Sequence, residues 1–218
     1  MIRPSPDSTE GYRMTLENPP AIDPSLVSRV KYILSRPKFE WPVIDAESAT
    51  IKGLFTRYAM VLAAIPAVAT LVGQIAFWHR GPVAPLLGAI MSYVLSLVSV
   101  YVLGLIIDAL APTFGGTRNP VKAMQVAVYS MTPAWVAGVL NVVPTLSWLA
   151  GLLGLYGFYL LYLGLPALMK TTADKALGYT IVVVVAAIIL WTIVAALVGA
   201  VIASFAIVGL GAAAFALS

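Results

Sequence analysis

Residues 123–169 read AMQVAVYSMTPAWVAGVLNVVPTLSWLAGLLGLYGFYLLYLGLPALM, 47 positions without a charged side chain. An α-helix needs about 20 apolar residues to cross a hydrocarbon core of about 30 Å. This run is too long for one such helix and long enough for two. Asn141 and Pro144 stand near its middle with apolar sequence on both sides, and both residue types favour turns. The stretch therefore predicts two membrane helices joined by a tight hairpin.

Outward from it the pattern repeats. Residues 58–78 between Arg57 and His79 (21 positions) and 81–107 between Arg80 and Asp108 (27 positions) carry no charge, and neither do the 43 residues after Lys175. Apolar residues make up 61% of the chain and charged ones 10%, whereas a soluble domain carries about 25% charged residues. We expect an all-α polytopic membrane protein with five transmembrane helices. Their approximate bounds are Leu54–Trp78, Pro82–Ala109, Val121–Leu140, Thr145–Met169 and Asp174–Ala203. The last run fits one long tilted helix with an apolar tail, or a helix with a short re-entrant return; a single span with a tail at the interface is the expectation. The resulting division is a flexible cytoplasmic tail (1–24), an interfacial amphipathic segment (25–53), the membrane domain (54–210) and an apolar C-terminal tail (211–218).

Orientation follows from Lys and Arg. Eight of the 13 precede the first span, and Arg118, Lys122, Lys170 and Lys175 occupy the loops on the same side. Arg80 alone falls on the other side. The positive-inside rule then places the N-terminus in the cytoplasm and, with five spans, the C-terminus outside. No secretory signal is expected, because the first 50 residues are polar and charged. The net charge of +4 matches attraction to anionic headgroups better than nucleic acid, for which no partnership is expected.

Ser25 is a candidate cap for a short helix over 25–36, with Leu26, Val30, Ile33 and Leu34 near one face and Arg29, Lys31 and Arg36 elsewhere. That pattern suits a helix in the headgroup region, with Phe39 and Trp41 at the interface. A surface anchor is the expected role, and a contact for a protein partner is the alternative. His79, beside Trp78 and Arg80, reads as a solvated residue at the opposite boundary.

Polar groups within or beside the spans are few. Asp108 ends the second helix, and Arg118 and Lys122 across a short loop are its candidate partners; Gly115-Gly116 forms the turn between them. Asn119-Pro120 is a good helix start, because proline's missing N–H is not needed in a first turn. Helix three carries Gln125, Tyr129, Ser130 and Thr132 ahead of Pro133. A proline inside a span frees the carbonyl one turn back, here Tyr129, and nearby hydroxyls can rebond it. In helix four Gly151, Gly154 and Gly157 recur every third residue, as do Tyr156, Tyr159 and Tyr162. Small residues allow close helix approach and tyrosines bond across a seam, so a close crossing is expected at Gly154. Helix five places Ala195, Gly199 and Ala203 at steps of four.

These groups make poor catalysts. There is no cysteine, no carboxylate couple, no His- or Asp-rich ligand set and no serine near the one histidine. Gly115-Gly116 lacks phosphate-loop spacing. We expect no enzyme activity, no cofactor and no metal.

The segments LIIDALAPTFGG (105–116), YSMTPAWVAG (129–138), LGLY (153–156) and GLP (164–166) together resemble the bacterial branch of the Yip-domain family of membrane proteins. The likeness extends over roughly residues 30–205 and is most specific at the tyrosine-serine-x-threonine-proline segment and the glycine-tyrosine stretch. It implies five spans and a cytoplasmic N-terminus, in the bacterial inner membrane. Eukaryotic relatives act in vesicle transport and contact Rab-type GTPases; bacteria lack that pathway, so the partner does not carry over. The acidic and aromatic cytoplasmic motif of that branch is not evident in this chain. The expected function is a non-catalytic scaffold or adaptor in membrane organisation or membrane-protein assembly, with membrane lipids around it. A protein partner at the N-terminal segment and a homo-oligomer are both open. The rival is a small-solute or ion transporter or channel, because proline-broken helices with midplane polar groups often build substrate sites.

Overall fold

The computed structural model describes residues 25–78 and 83–216. The expected flexible tail (1–24) and the His79 boundary lie outside those residues. No strand occurs among the described residues, and five helical segments are long and apolar enough to cross a membrane. They run Ile51–Phe77, Val83–Phe114, Pro120–Val142, Pro144–Met169 and Asp174–Val201.

Two short helices precede them. Helix α1 (Leu26–Ser35) is capped by Ser25, whose hydroxyl accepts from the Ser28 N–H at 3.3 Å. Helix α2 (Pro37–Ala46) starts on a proline, where a missing N–H costs nothing. The pair does not lie apart as a surface anchor. Helix α2 packs on the fourth span, and α1 reaches the Thr132–Ala137 segment of the third. Trp41, expected at the interface, is 1% exposed and sits in the core, while Phe39 is 77% exposed. Arg29, expected to point away from the apolar face, is 2% exposed.

The third span is the post of the bundle. In its most apolar stretch 78% of residues are buried, against 11% in the fifth, so the other elements are arranged around it. The first, second and fourth spans all pack on it, and the fifth sits outside against the second and fourth. Two spans are interrupted. The third runs Pro120–Ser130, resumes over Thr132–Ala137 and ends in a 3-10 turn, Gly138–Val142. The fourth follows through a second 3-10 turn, Pro144–Leu146, then Ser147–Gly154 and Tyr156–Met169, with a kink at Leu155. The hairpin thus falls at Asn141–Pro144, as expected. The fifth helix is continuous from Ala173 to Ala216, beyond the expected end near Ala203.

The close crossing of the fourth span is one turn away from the expected one. A Cβ on Gly154 would meet Ala134 Cβ at an ordinary 3.4 Å. On Gly157 it would stand 2.5 Å from the Ser130 carbonyl oxygen, and on Gly164 2.7 Å from Trp41 Cζ2. The glycine strip is therefore used, but in a register that spacing alone did not fix. Gly151 and Gly199 face open space.

Overfilling a packed contact costs about 1–3 kcal/mol. Gly157→Ala should lower the stability of the detergent-solubilised protein by about that much. Gly151→Ala, with nothing in its way and a better helix former in place, should leave the thermal midpoint unchanged or raise it. Equal behaviour of the two variants would place the crossing elsewhere.

Candidate functional site

The polar residues of the third span meet α1, α2 and the start of the first span at the charged end of the bundle. The sequence builds this junction from the carbonyl outward. Pro133 has no N–H to offer the Tyr129 carbonyl, and the Thr132 hydroxyl donates to that oxygen at 2.7 Å. A hydroxyl has one hydrogen, so Thr132 Oγ1 then accepts from the Tyr58 hydroxyl at 2.8 Å. Tyr58 is carried by a π turn, Phe55–Ala59, at the entry of the first span. Its ring meets Tyr129 edge-on at 4.9 Å, and the Trp41 ring does so at 6.4 Å.

Above Tyr129 lies a buried cation. The Arg29 guanidinium stands 5.6 Å from the Tyr129 ring centroid and bonds both Glu40 and Glu47. It therefore joins α1, α2 and the segment after α2. Burial alone would lower the Arg29 pKa, but bonding to Glu47 and the field of both carboxylates more than offset it. Burial pushes the Glu40 carboxyl above its ordinary value, and Arg29 recovers only part of that shift.

Lys122 does not pair with Asp108. Its ammonium lies at the C-terminal end of α2, donating to the carbonyls of Ile44 (3.3 Å) and Asp45, with Asp45 Oδ1 at 3.5 Å. A cation there satisfies helix-end carbonyls and complements the helix dipole. Lys170 reaches the same Asp45 from the end of the fourth span. Burial raises the Asp45 carboxyl, yet the bonds to Lys170 and Lys122 outweigh it and hold the group below its ordinary value. Gln125, fully buried, donates to the Ile44 carbonyl at 3.4 Å.

The other expected residues divide. Asp108, 6% exposed, accepts from Arg118 Nε at 3.2 Å, so that pair is present. Gly115 adopts φ 73°, which favours glycine, and a Cβ on Gly116 would be 2.6 Å from the Met169 carbonyl oxygen. The Thr117 N–H donates to that carbonyl at 2.9 Å, tying the two loops at this end together. Ser130 is fully buried. Tyr156 donates to the Leu34 carbonyl of α1 at 3.1 Å, whereas Tyr159 and Tyr162 are 39% and 44% exposed and face outward. Asp108, Arg118, Tyr159 and Tyr162 therefore stand apart from the junction. Arg29, Glu40, Trp41, Asp45, Glu47 and Tyr58 belong to it and were missed. The available signal was Arg29 followed by three acids, Glu40, Asp45 and Glu47, within nineteen residues of a chain that is poor in charge.

No group of three His, Cys, Asp or Glu residues able to hold a metal occurs among the described residues. The junction is held by ion pairs and hydrogen bonds, though Trp41 Nε1, Gln125 Oε1 and Ser130 Oγ are buried in it without a partner. Its chemistry is cohesive: it fastens the N-terminal helices to the spans.

The family model of the Yip1 domain matches residues 31–195. Among curated proteins, "Inner membrane protein YohC" of Escherichia coli K12 is 27% identical over 167 residues, covering 71% of this chain and 85% of the relative. The same protein from strain O6:H1 gives the same figures. No solved structure matches the chain.

Removing one partner of a buried ion pair leaves an uncompensated charge and costs about 3–5 kcal/mol. Arg29→Ala should lose stability on that scale and open residues 47–50 to protease, whereas Glu40→Gln, which removes a desolvated charge and leaves the Glu47 pair intact, should lose much less. Equal losses would show that the Glu40 charge is indispensable and that the Glu47 pair alone does not hold Arg29 in place. Asp45 has its pKa depressed on folding, so its contribution is complete above the unfolded value near 3.8 and is lost as pH falls through the lower folded value. Asp45→Asn should therefore reduce stability at neutral pH and flatten the acid limb of a stability–pH curve.

Proposed function

The chain belongs to the Yip1 domain family, and from that premise we propose that it is a non-catalytic scaffold or adaptor of the bacterial cytoplasmic membrane. On this reading the charged end, with α1 and α2, faces the cytoplasm. The observation that carries it is the burial of the third-span polar groups. Gln125, Ser130 and Thr132 are each 0% exposed, and the Thr132 hydroxyl is used up between Tyr129 and Tyr58. A conduction path needs polar groups turned to a lumen. Here Gln125 and Thr132 bond to neighbouring elements, and Ser130 is fully buried.

The docked helix pair supplies the surface for a protein partner. Phe39 and Val43, one turn apart on α2, are 77% and 48% exposed, and the rigid attachment below them holds that face in a fixed position. A contact presented this way avoids the entropy cost of ordering a loose segment.

Three measurements test the reading together. Reporter fusions should place the N-terminus and the Arg118 loop in the cytoplasm and the C-terminus outside. A photo-crosslinking residue at Phe39 should join discrete membrane-protein partners in intact cells, and one at lipid-facing Leu152 should not. Proteoliposomes should pass ions and small solutes no faster than protein-free vesicles. Flux that Thr132→Val abolishes would establish the transporter reading instead.

A further inference from the structure

We propose that the half of the bundle remote from α1 and α2 holds one acyl chain of a membrane lipid, drawn from the leaflet at that end. A cavity of about 690 Å³ lies there, with walls from all five spans, including Ala63, Ser92, Trp135, Phe158 and Ile188. Pockets that hold drug-sized ligands run from about 300 to 1,000 Å³. The breaks in the third and fourth spans, at Met131 and Leu155, both lie on its wall and make the room for it.

The mouth opens sideways. The fifth helix packs on Tyr156–Met169 of the fourth span, while Ser147–Gly154 packs instead on the third, so the two spans part at this level. Leu155 stands on one lip, 53% exposed, and Ile188 and Trp191 on the other, at 50% and 53%. Outside these lips is hydrocarbon, so a chain enters without crossing a polar layer.

The walls decide what kind of occupant fits. Eight wall residues carry hydroxyl or indole N–H groups, and four of those donors are spent within the protein. Ser92 donates to the Ala89 carbonyl at 2.9 Å and Thr192 to that of Ile188 at 2.8 Å. Tyr93 reaches the Met60 carbonyl at 3.2 Å, and the Trp135 indole N–H reaches Ser96 Oγ at 3.4 Å. Water needs two to four polar partners, and a polar solute needs at least as many. A chain of methylenes needs none and regains the dispersion contacts that an empty space would forfeit. At the end beside the hairpin the lining turns polar, with Asn141 and Ser147, which suits the glycerol region of the same lipid.

The inference is independent of the scaffold reading. The test uses the full chain in vesicles containing phosphatidylethanolamine with a photo-activatable diazirine on one acyl chain, and maps the adducts by mass spectrometry. Adducts are expected at Trp135 and Phe158, which face the cavity, as well as at outward-facing Val94 and Val98. Gly151→Trp adds a ring where a Cβ meets nothing within 4 Å, so it should fold and fill the mouth. It should cut the Trp135 and Phe158 adducts at least tenfold and leave those at Val94 and Val98 unchanged. Leu152→Trp, on the outer side of the same helix, should change neither set. Wild-type adducts confined to Val94 and Val98 would overturn the proposal whatever the variants do. So would inner adducts that survive in folded Gly151→Trp.

Discussion

The carbonyl of Tyr129 is the point on which the charged half of the bundle depends. Pro133 removes its helical partner, and in a hydrocarbon setting a bare carbonyl costs several kcal/mol. Thr132 restores the bond, Tyr58 completes the hydroxyl chain, and the first span is thereby held against the third. The Tyr129 ring then becomes a platform for Trp41 and Arg29. One missing N–H thus fixes three neighbours in sequence.

The ion pairs above that platform follow a different logic. Buried charges contribute little net stability, because desolvation offsets most of their attraction, and they are better at selecting one arrangement. Arg29 meets acids from α2 and from the segment after it, so only one placing of α1 satisfies all three groups. Lys122 and Lys170 converge on Asp45 in the same way from two different spans. The N-terminal helices are therefore part of the folded unit, held by geometry as much as by apolar burial.

Much of this was legible in the sequence. Uncharged runs set the five spans, Asn141 and Pro144 marked the hairpin, and Pro133 with Thr132 announced the repaired carbonyl. The Asp108–Arg118 pair came from proximity across a short loop. What was not legible shares a cause: it depends on which distant element packs alongside. Trp41 and Phe39 are equivalent candidates for an interfacial aromatic until the fourth span is placed, and then Gly164 leaves room under Trp41 alone. Glycines at every third residue define a strip but not the turn at which it is crossed, so Gly157 was indistinguishable from Gly154. Lys122 had a nearby acid in sequence and found a better one in α2.

The fifth helix has a consequence of its own. Its 44 residues, at about 1.5 Å each, make a rod of about 66 Å, roughly twice the thickness of a bilayer core. The span Asp174–Val201 covers the core with some tilt, and the remaining turns extend past it or lean further, at a modest cost per ångström of mismatch. It packs on the second and fourth spans at the periphery of the bundle. The helix with the greatest mismatch to a bilayer core is thus the one least buried against the rest of the bundle.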